Sequence, residues 1–303
     1  MLDLPRYLVG VAEVVALVGF SALGGAALRA RLLPAFAGAP AYLATGVLGL
    51  ALLILVAEAL GTVGLFQPVP YLASVAIVGV VVRVRVGEKE DAAAREGHPR
   101  PSSQGSDASI RGVRVATVLA LAIAAAALVK FGLDVKPKLT TGMTGFDSTW
   151  YHGPFAAGFF QSGDTWSLHF IAPQFLAWFY PANSELFHAG GMLAFGRDLL
   201  SPLLNLGWFV GCLVACWCIG RPYEVAPWSL ALGAMALSLP VLSDQAGEAR
   251  NDIVGIFFLL AAVAIAFNAW SARERGDLGF GAVAVVGLAA GLAAGTKLNF
   301  LLP

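Results

Sequence analysis

Charge is scarce in this chain. Asp, Glu, Lys and Arg make up 13% of its 303 residues, where a soluble domain carries about 25%. Neither sign is in excess: nineteen basic against nineteen acidic residues give a formal net charge of zero. That excludes a nucleic-acid binder working by bulk positive charge. Cysteine is almost missing as well. Cys212, Cys216 and Cys218 all fall inside one apolar run, so no disulfide framework is available and the three read as small packing residues. There is no internal repeat, no Walker motif and no dinucleotide-type glycine motif.

What the chain does have is apolar sequence in long blocks. Hydrophobic residues reach 58% and the mean hydropathy is +0.77. A helix needs about 20 mostly apolar residues to cross the hydrocarbon core. Stretches meeting that criterion lie near 8–28, 41–60, 68–86, 115–133, 199–219, 227–242, 253–270 and 279–295. The expected fold class is therefore an all-α polytopic membrane protein with about eight transmembrane helices. The first block does not read as a cleaved signal peptide, because no basic leader precedes it and Glu13 interrupts it. Leu301, Leu302 and Pro303 read as the opening of a further apolar segment.

Residues 87–113 break the pattern. They are polar, rich in Gly, Pro and Ser, and of mixed charge, which reads as a disordered cytoplasmic linker. The expected organisation is a three-helix membrane unit at 1–86, this linker, and a larger membrane module at 114–303. Glycines within the blocks (Gly24, Gly25, Gly46, Gly49, Gly287 and Gly291) read as helix-packing contacts.

Orientation follows from the basic residues. With the N-terminus outside, the inner loops hold Arg29, Arg31, Arg83, Arg85, Lys89, Arg95, Arg100, Arg111, Arg114, Arg221, Arg273 and Arg275. The outer segments hold half as many: Arg6, Lys136, Lys138, Arg197, Arg250 and Lys297. Three non-helical stretches then fall outside, at about 134–198, 243–252 and 296–300. Between them they carry Asp147, His152, Asp164, His169, Glu185, His188, Asp244, Glu248, Arg250, Asp252 and Lys297. A site, on this reading, faces outward.

The long outer stretch is too apolar for an ordinary loop. YHGPFAAGFFQSG and ELFHAGGMLAFG are too short to span, yet carry apolar residues at helical spacing. They read as two interfacial helices with apolar sides toward acyl chains. Trp150, Tyr151, Trp166, Trp178 and Tyr180 suit the headgroup level. Chemistry placed there would meet a lipid-borne substrate.

Several of these segments together resemble a known family. Asp147 and Tyr151 followed by a short apolar helix ending in QSGDTW, then PANSELFHAGGMLAFGRDLLSPLLNLGW, then NDIVGIFFLLAAVAIA and GLAAGLAAGTKLNFLLP, occur in this order over about 114–303. The order resembles the GT-C membrane glycosyltransferases, in the branch of protein O-mannosyltransferases and the lipid A aminoarabinose transferase. The resemblance implies an enzyme that moves a sugar from a polyprenyl-phosphate donor to an acceptor hydroxyl of a glycan, lipid or protein. It places the active site on the extracytoplasmic side of a plasma membrane. The excess of Arg over Lys, with abundant Ala, Gly and Val, suits a GC-rich bacterial genome.

Such a transfer needs a base for the hydroxyl proton and cationic or hydrogen-bonding groups for the departing phosphate. The resemblance makes Asp147 the catalytic base; the competing reading is a solvated loop Asp or a helix N-cap. Asp252 would orient the acceptor or a metal, or else cap the helix it opens, with Glu248 and Asp244 as neighbouring rivals. Lys297 would contact phosphate, against a lysine snorkelling at a helix end. His152 and Arg250 are further phosphate candidates, and Tyr151 would hold the donor. Glu185 reads as a cap residue. His152, His169 and His188 share no ligand spacing such as HExxH, so no metal ligands are assigned and a divalent ion is left open. Glu13, Glu58 and Lys130 sit toward outer span ends, where snorkelling or an ion pair to Lys130 accounts for them. Two other functions compete: a transporter or flippase of a lipid-linked saccharide, and a non-catalytic polytopic membrane protein. A transporter is expected to place polar groups at mid-membrane, whereas here the span centres are Ala, Val, Leu and Gly.

Overall fold

A computed structural model describes residues 3–94, 110–166, 180–272 and 278–301. Most of the expected linker (95–109), His169, Trp178, Arg95, Arg100, Arg273, Arg275, Leu302 and Pro303 lie outside the described residues, as do the side chains of Lys89 and Arg111. Among the described residues there is no strand.

Each long apolar block has become a helix, and prolines in the first turn open several of them. Helix α1 (Leu4–Leu32) starts where Asp3 accepts the Arg6 amide at 2.9 Å, with Pro5 in the first turn. It is followed by α2 (Ala39–Gly61), α3 (Pro68–Ala94) and α4 (Ile110–Val135). A short α5 (Lys138–Thr141) leads to a π-helical turn, Ser148–His152, that runs directly into α6 (Gly153–Ser162). Then come α7 (Asn183–Phe195), α8 (Ser201–Gly220), α9 (Ala226–Leu237), the single turn α10 (Pro240–Ser243), α11 (Asp252–Ser271) and α12 (Phe280–Ala294).

Six stretches are long and apolar enough to cross a membrane: Leu4–Leu32, Ala39–Gly61, Pro68–Val86, Arg114–Thr141, Ser201–Tyr223 and Asp252–Ser271. The count of eight is not reached, because the two remaining apolar blocks form shorter helices. α9 has 12 residues and α12 has 15, which at 1.5 Å per residue gives about 18 and 22 Å of rise against a core of about 30 Å. For the block at 227–242 the cause is local. Leu239, the residue ahead of Pro240, is extended, with ψ at 147°. A residue before proline is pushed out of the α region.

The first three helices pack tightly on one another. A Cβ on Gly25 would stand 2.5 Å from the Thr45 carbonyl oxygen and 2.8 Å from the Gly49 amide, and one on Gly79 would meet the Phe20 carbonyl at 2.3 Å. Small residues allow these backbones to touch. The same helices also pack against α7, α8, α11 and α12, and one buried apolar cluster runs from Leu33 through Ile54, Phe209 and Phe258 to Ala293. By contrast α1 and α4 keep apolar outer faces, with Leu8, Val15 and Val18 exposed on one and Val115, Val118 and Val129 on the other. Apolar faces of that extent mark contact with lipid or a partner.

Both expected short helices of the 134–198 stretch form, but α7 does not lie on a surface. Leu186, Ala189, Met192, Leu193, Ala194 and Phe195 are buried, as are Ser184, Glu185 and His188. A helix apolar on all sides is enclosed rather than laid on an interface. α7 sits between α6 on one side and α1 and α2 on the other.

The polar segments at 136–152, 243–252 and 296–300 collect at one end of the bundle. There α1, α3, α8 and α11 begin, and α2, α4 and α12 finish. The opposite end is closed by contacts such as Arg221 Nη1 donating to the Ala37 carbonyl at 3.0 Å.

Candidate functional site

The site is organised around the loop from Asp244 to Asn251. Its anchor is Asn205, fully buried one turn into α8. The Nδ2 amide of Asn205 donates to the carbonyls of Gln245 at 3.0 Å, Glu248 at 2.9 Å and Arg250 at 3.0 Å. Gln245, also fully buried, accepts the Ile253 amide at 3.2 Å and donates to Asp252 Oδ2 at 3.2 Å. Buried polar groups of this kind need partners; both polar atoms of the Gln245 side chain and the Nδ2 of Asn205 have them, while Asn205 Oδ1 has none among the described residues. Gly247 lies at φ +71°, and a Cβ there would stand 2.6 Å from the Lys138 side chain, so both conformation and space call for glycine.

A second segment is stitched to this loop. Lys138 Nζ donates to Glu248 Oε1 at 2.5 Å, the Gly145 amide to Oε2 at 2.9 Å and the Thr144 amide to Oε1 at 3.3 Å. The Ala249 amide donates to Ser148 Oγ at 2.9 Å. Burial pushes the Glu248 carboxyl up, but the Lys138 ammonium, the Gly145 amide, the Ser148 hydroxyl and the Thr144 amide together hold it below its usual value. Glu248 is thus a latch between two segments, with both oxygens occupied.

The latch sets Asp147 beside Arg250. Arg250 Nε lies 3.4 Å from Asp147 Oδ2, and Nη2 lies 3.8 Å from Asp252 Oδ2. Lys297 Nζ pairs with Asp252 Oδ1. Asp147, Arg250, Asp252 and Lys297 therefore form one chain of alternating charge, each side chain about a third exposed. Asp147 precedes the π-helical turn yet makes no cap hydrogen bond with its side chain, so capping does not account for it. The turn carrying Lys297 is fixed by Asn251, whose Nδ2 donates to the Thr296 carbonyl at 2.8 Å.

A cavity of about 280 Å³ opens beside this chain, lined by Tyr151, Tyr180, Asn251, Thr296, Lys297 and Asn299, among others. Tyr151 and Tyr180 meet edge to face with ring centroids 5.5 Å apart. Burial, then the negative charges of Asp147 and Glu185, push the Tyr151 hydroxyl above its ordinary value, so it remains a protonated donor. One wall is aromatic and the other carries an ammonium with N–H groups to spare beyond Asp252.

His152 turns the other way. It is buried, and its Nδ1 is within hydrogen-bonding reach of Glu185 Oε1, itself buried. Glu185 opens α7 but is engaged by this imidazole. His188, one turn further along α7, is fully enclosed; burial, then the neighbouring His152, push its imidazole down to about 3, so it is neutral.

Of the residues singled out from the sequence, Tyr151 and Lys297 line the cavity, and Asp147, Arg250 and Asp252 join Lys297 in the charged chain beside it. Glu248 is drawn into the latch and His152 into the interior pair. Asp244 closes α10 instead, its backbone amide donating to the Pro240 carbonyl at 2.9 Å. Lys130 pairs with Asp134 at 2.7 Å, one turn along its own helix, and Glu58 accepts from Thr165 at 3.2 Å, so among the described residues neither Glu13 nor Glu58 is paired with Lys130. Sequence reasoning missed Lys138, Ser148, Asn205 and Gln245. Asn205 carried a signal, as a lone amide in the otherwise apolar run SPLLNLGW.

Among the described residues no three His, Cys, Asp or Glu side chains are grouped to hold a metal ion. The three cysteines are free and buried. No family model, curated protein or solved structure matches the chain.

Proposed function

We propose that this chain is an integral membrane glycosyltransferase that moves a sugar from a polyprenyl-phosphate donor to an acceptor hydroxyl at the outer face of a plasma membrane. The observation that carries the reading is the convergence of Asp147, Arg250, Asp252 and Lys297 beside a cavity walled by Tyr151 and Tyr180. These residues come from three segments far apart in sequence, and they meet at one end of a bundle whose helices are otherwise apolar.

In the proposed reaction the acceptor oxygen attacks the anomeric carbon. The new C–O bond forms as the bond from that carbon to the phosphate oxygen breaks, and the electron pair leaves with the polyprenyl phosphate. Asp147 takes the acceptor proton. Lys297, with N–H groups left over from Asp252, and Arg250, with five donors in a planar fork, neutralise the departing phosphate. Tyr151 and Tyr180 offer an apolar face and a hydroxyl to the sugar, and Asp252 holds Lys297 and Arg250 in place.

The test uses the full-length protein and its Asp147→Asn variant in membranes of a host lacking the gene, with lipid extracts compared by mass spectrometry. The variant is expected to accumulate a polyprenyl-phosphate sugar that the unmutated protein consumes, while its thermal unfolding stays unchanged. Matching extracts from two folded proteins would remove Asp147 from the chemistry and the transferase reading with it.

A further inference from the structure

Two cavities lie away from the charged site, and they share lining residues. The upper one, about 610 Å³, is bounded by Tyr7 and Val11 of α1, Thr140 of α5, Phe195 of α7 and Arg197 and Asp198 of the turn before α8. The lower one, about 350 Å³, is bounded by Leu17 and Val18 of α1, Leu53 of α2, Gly190 of α7 and Gly207 and Trp208 of α8. Val14 and Leu200 line both, so the two lie end to end as a slot along α1 and α8, descending from the polar end of the bundle.

Three features of the slot identify an occupant. First, its lower part is apolar, and Gly207 leaves it open: a Cβ there would meet nothing within 4 Å. Second, its depth is limited. From Tyr7 to Val18 is about 16 Å along the axis of α1, roughly half of a 30 Å hydrocarbon core. Val18 is the last residue of α1 that lines it. A slot about one leaflet deep suits a single acyl chain and is too short to enclose a long polyprenyl chain. Third, the rim carries one free charge of each sign. Lys138 is engaged by Glu248, whereas Arg197 and Asp198, adjacent in sequence, form no ion pair among the described residues. Such a rim complements a headgroup that bears both a phosphate and an ammonium.

We infer that this slot is a binding site for a phospholipid with a zwitterionic, ammonium-bearing headgroup, one acyl chain lying between α1 and α8 and the phosphate on Arg197. The site is separate from the charged cavity, being divided from it by the Lys138–Glu248 latch, and it stands whether or not the chain transfers sugar. It gives α1 a role beyond packing, since that helix forms one wall throughout.

The test takes the full chain in nanodiscs of mixed phosphatidylethanolamine and phosphatidylglycerol, releases it in mild detergent and weighs retained lipid by native mass spectrometry. The unmutated protein is expected to keep phosphatidylethanolamine in several-fold excess over its share of the bilayer. Gly207→Leu, which fills the slot, is expected to lose it, and Asp198→Asn, which removes the rim's carboxylate, to lose the preference between the two lipids. Should Gly207→Leu fail to fold, quenching by acyl-brominated phosphatidylethanolamine decides the point. Trp208 is 8% exposed, so its emission, taken as the difference from Trp208→Phe, falls only if the chain enters the slot. Retention of phosphatidylglycerol in equal measure, retention of a polyprenyl phosphate instead, no retained lipid, an unaffected folded Gly207→Leu variant or an unquenched Trp208 would each overturn the assignment.

Discussion

Asn205 offers the sharpest test of how the site is held. Its single amide serves three carbonyls of the 245–250 loop at 2.9–3.0 Å, with no exposure to solvent. In Asn205→Ala those carbonyls lose their donor, and leaving a buried polar group unsatisfied costs about 1–3 kcal/mol. For a chain of this size each kcal/mol lowers the melting temperature by roughly 2–4 °C, so a drop of about 4–8 °C is expected for a loss near 2 kcal/mol. Asn205→Asp is the more telling variant. It preserves shape but turns a donor into a carboxylate oxygen facing three acceptors, so it is expected to melt below Asn205→Ala despite filling the same space. Thermal unfolding in detergent, followed by intrinsic fluorescence, reads both. If Asn205→Asp were as stable as the unmutated protein, the loop would not depend on this amide, and Asn205 would not be what places Arg250 beside Asp147.

Two further expectations concern the latch and the helix contacts. Because the folded protein holds the Glu248 carboxyl below its usual value, the latch contributes stability above the unfolded pKa of about 4.3 and loses it as pH falls through the lower folded value. Unfolding measured between about pH 6 and 3 is therefore expected to show an acid-side loss that Glu248→Gln flattens, and equal slopes in both proteins would contradict the latch. Gly25→Ala forces a methyl against the backbone of Thr45 and Gly49 and is expected to cost about 1–3 kcal/mol, whereas Gly46→Ala meets open space and is expected to be neutral or slightly stabilising. Comparable melting temperatures for the two alanine variants would show that α1 and α2 are not packed through Gly25.

Much of this protein is legible in the linear chain, because a membrane helix announces itself in one dimension. Runs such as ALLILVAEALG and DIVGIFFLLAAVAIA must satisfy their own backbone hydrogen bonds wherever they sit among apolar surroundings, so their positions follow from length and hydropathy alone. The collection of Asp147, Arg250, Asp252 and Lys297 at one end also follows, because a pair of apolar helices running in opposite directions, α8 with α9 and then α11 with α12, separates the segments that carry them. What the one-dimensional pattern could not decide was stopping distance and partners. The block at 227–242 has the composition of a span, yet Pro240 divides it. α7 has the composition of an interfacial helix, yet α1, α2 and α6 enclose it. Glu248 and Arg250, two residues apart and equally polar, are separated by the direction of their side chains. One is consumed by Lys138 and two backbone amides, while the other is left between two carboxylates. Hydropathy is a property of each residue, so the sequence by itself determined which segments leave water. Pairing is a property of two residues brought together by helices distant along the chain, and only tertiary packing decided which charges remain free to act.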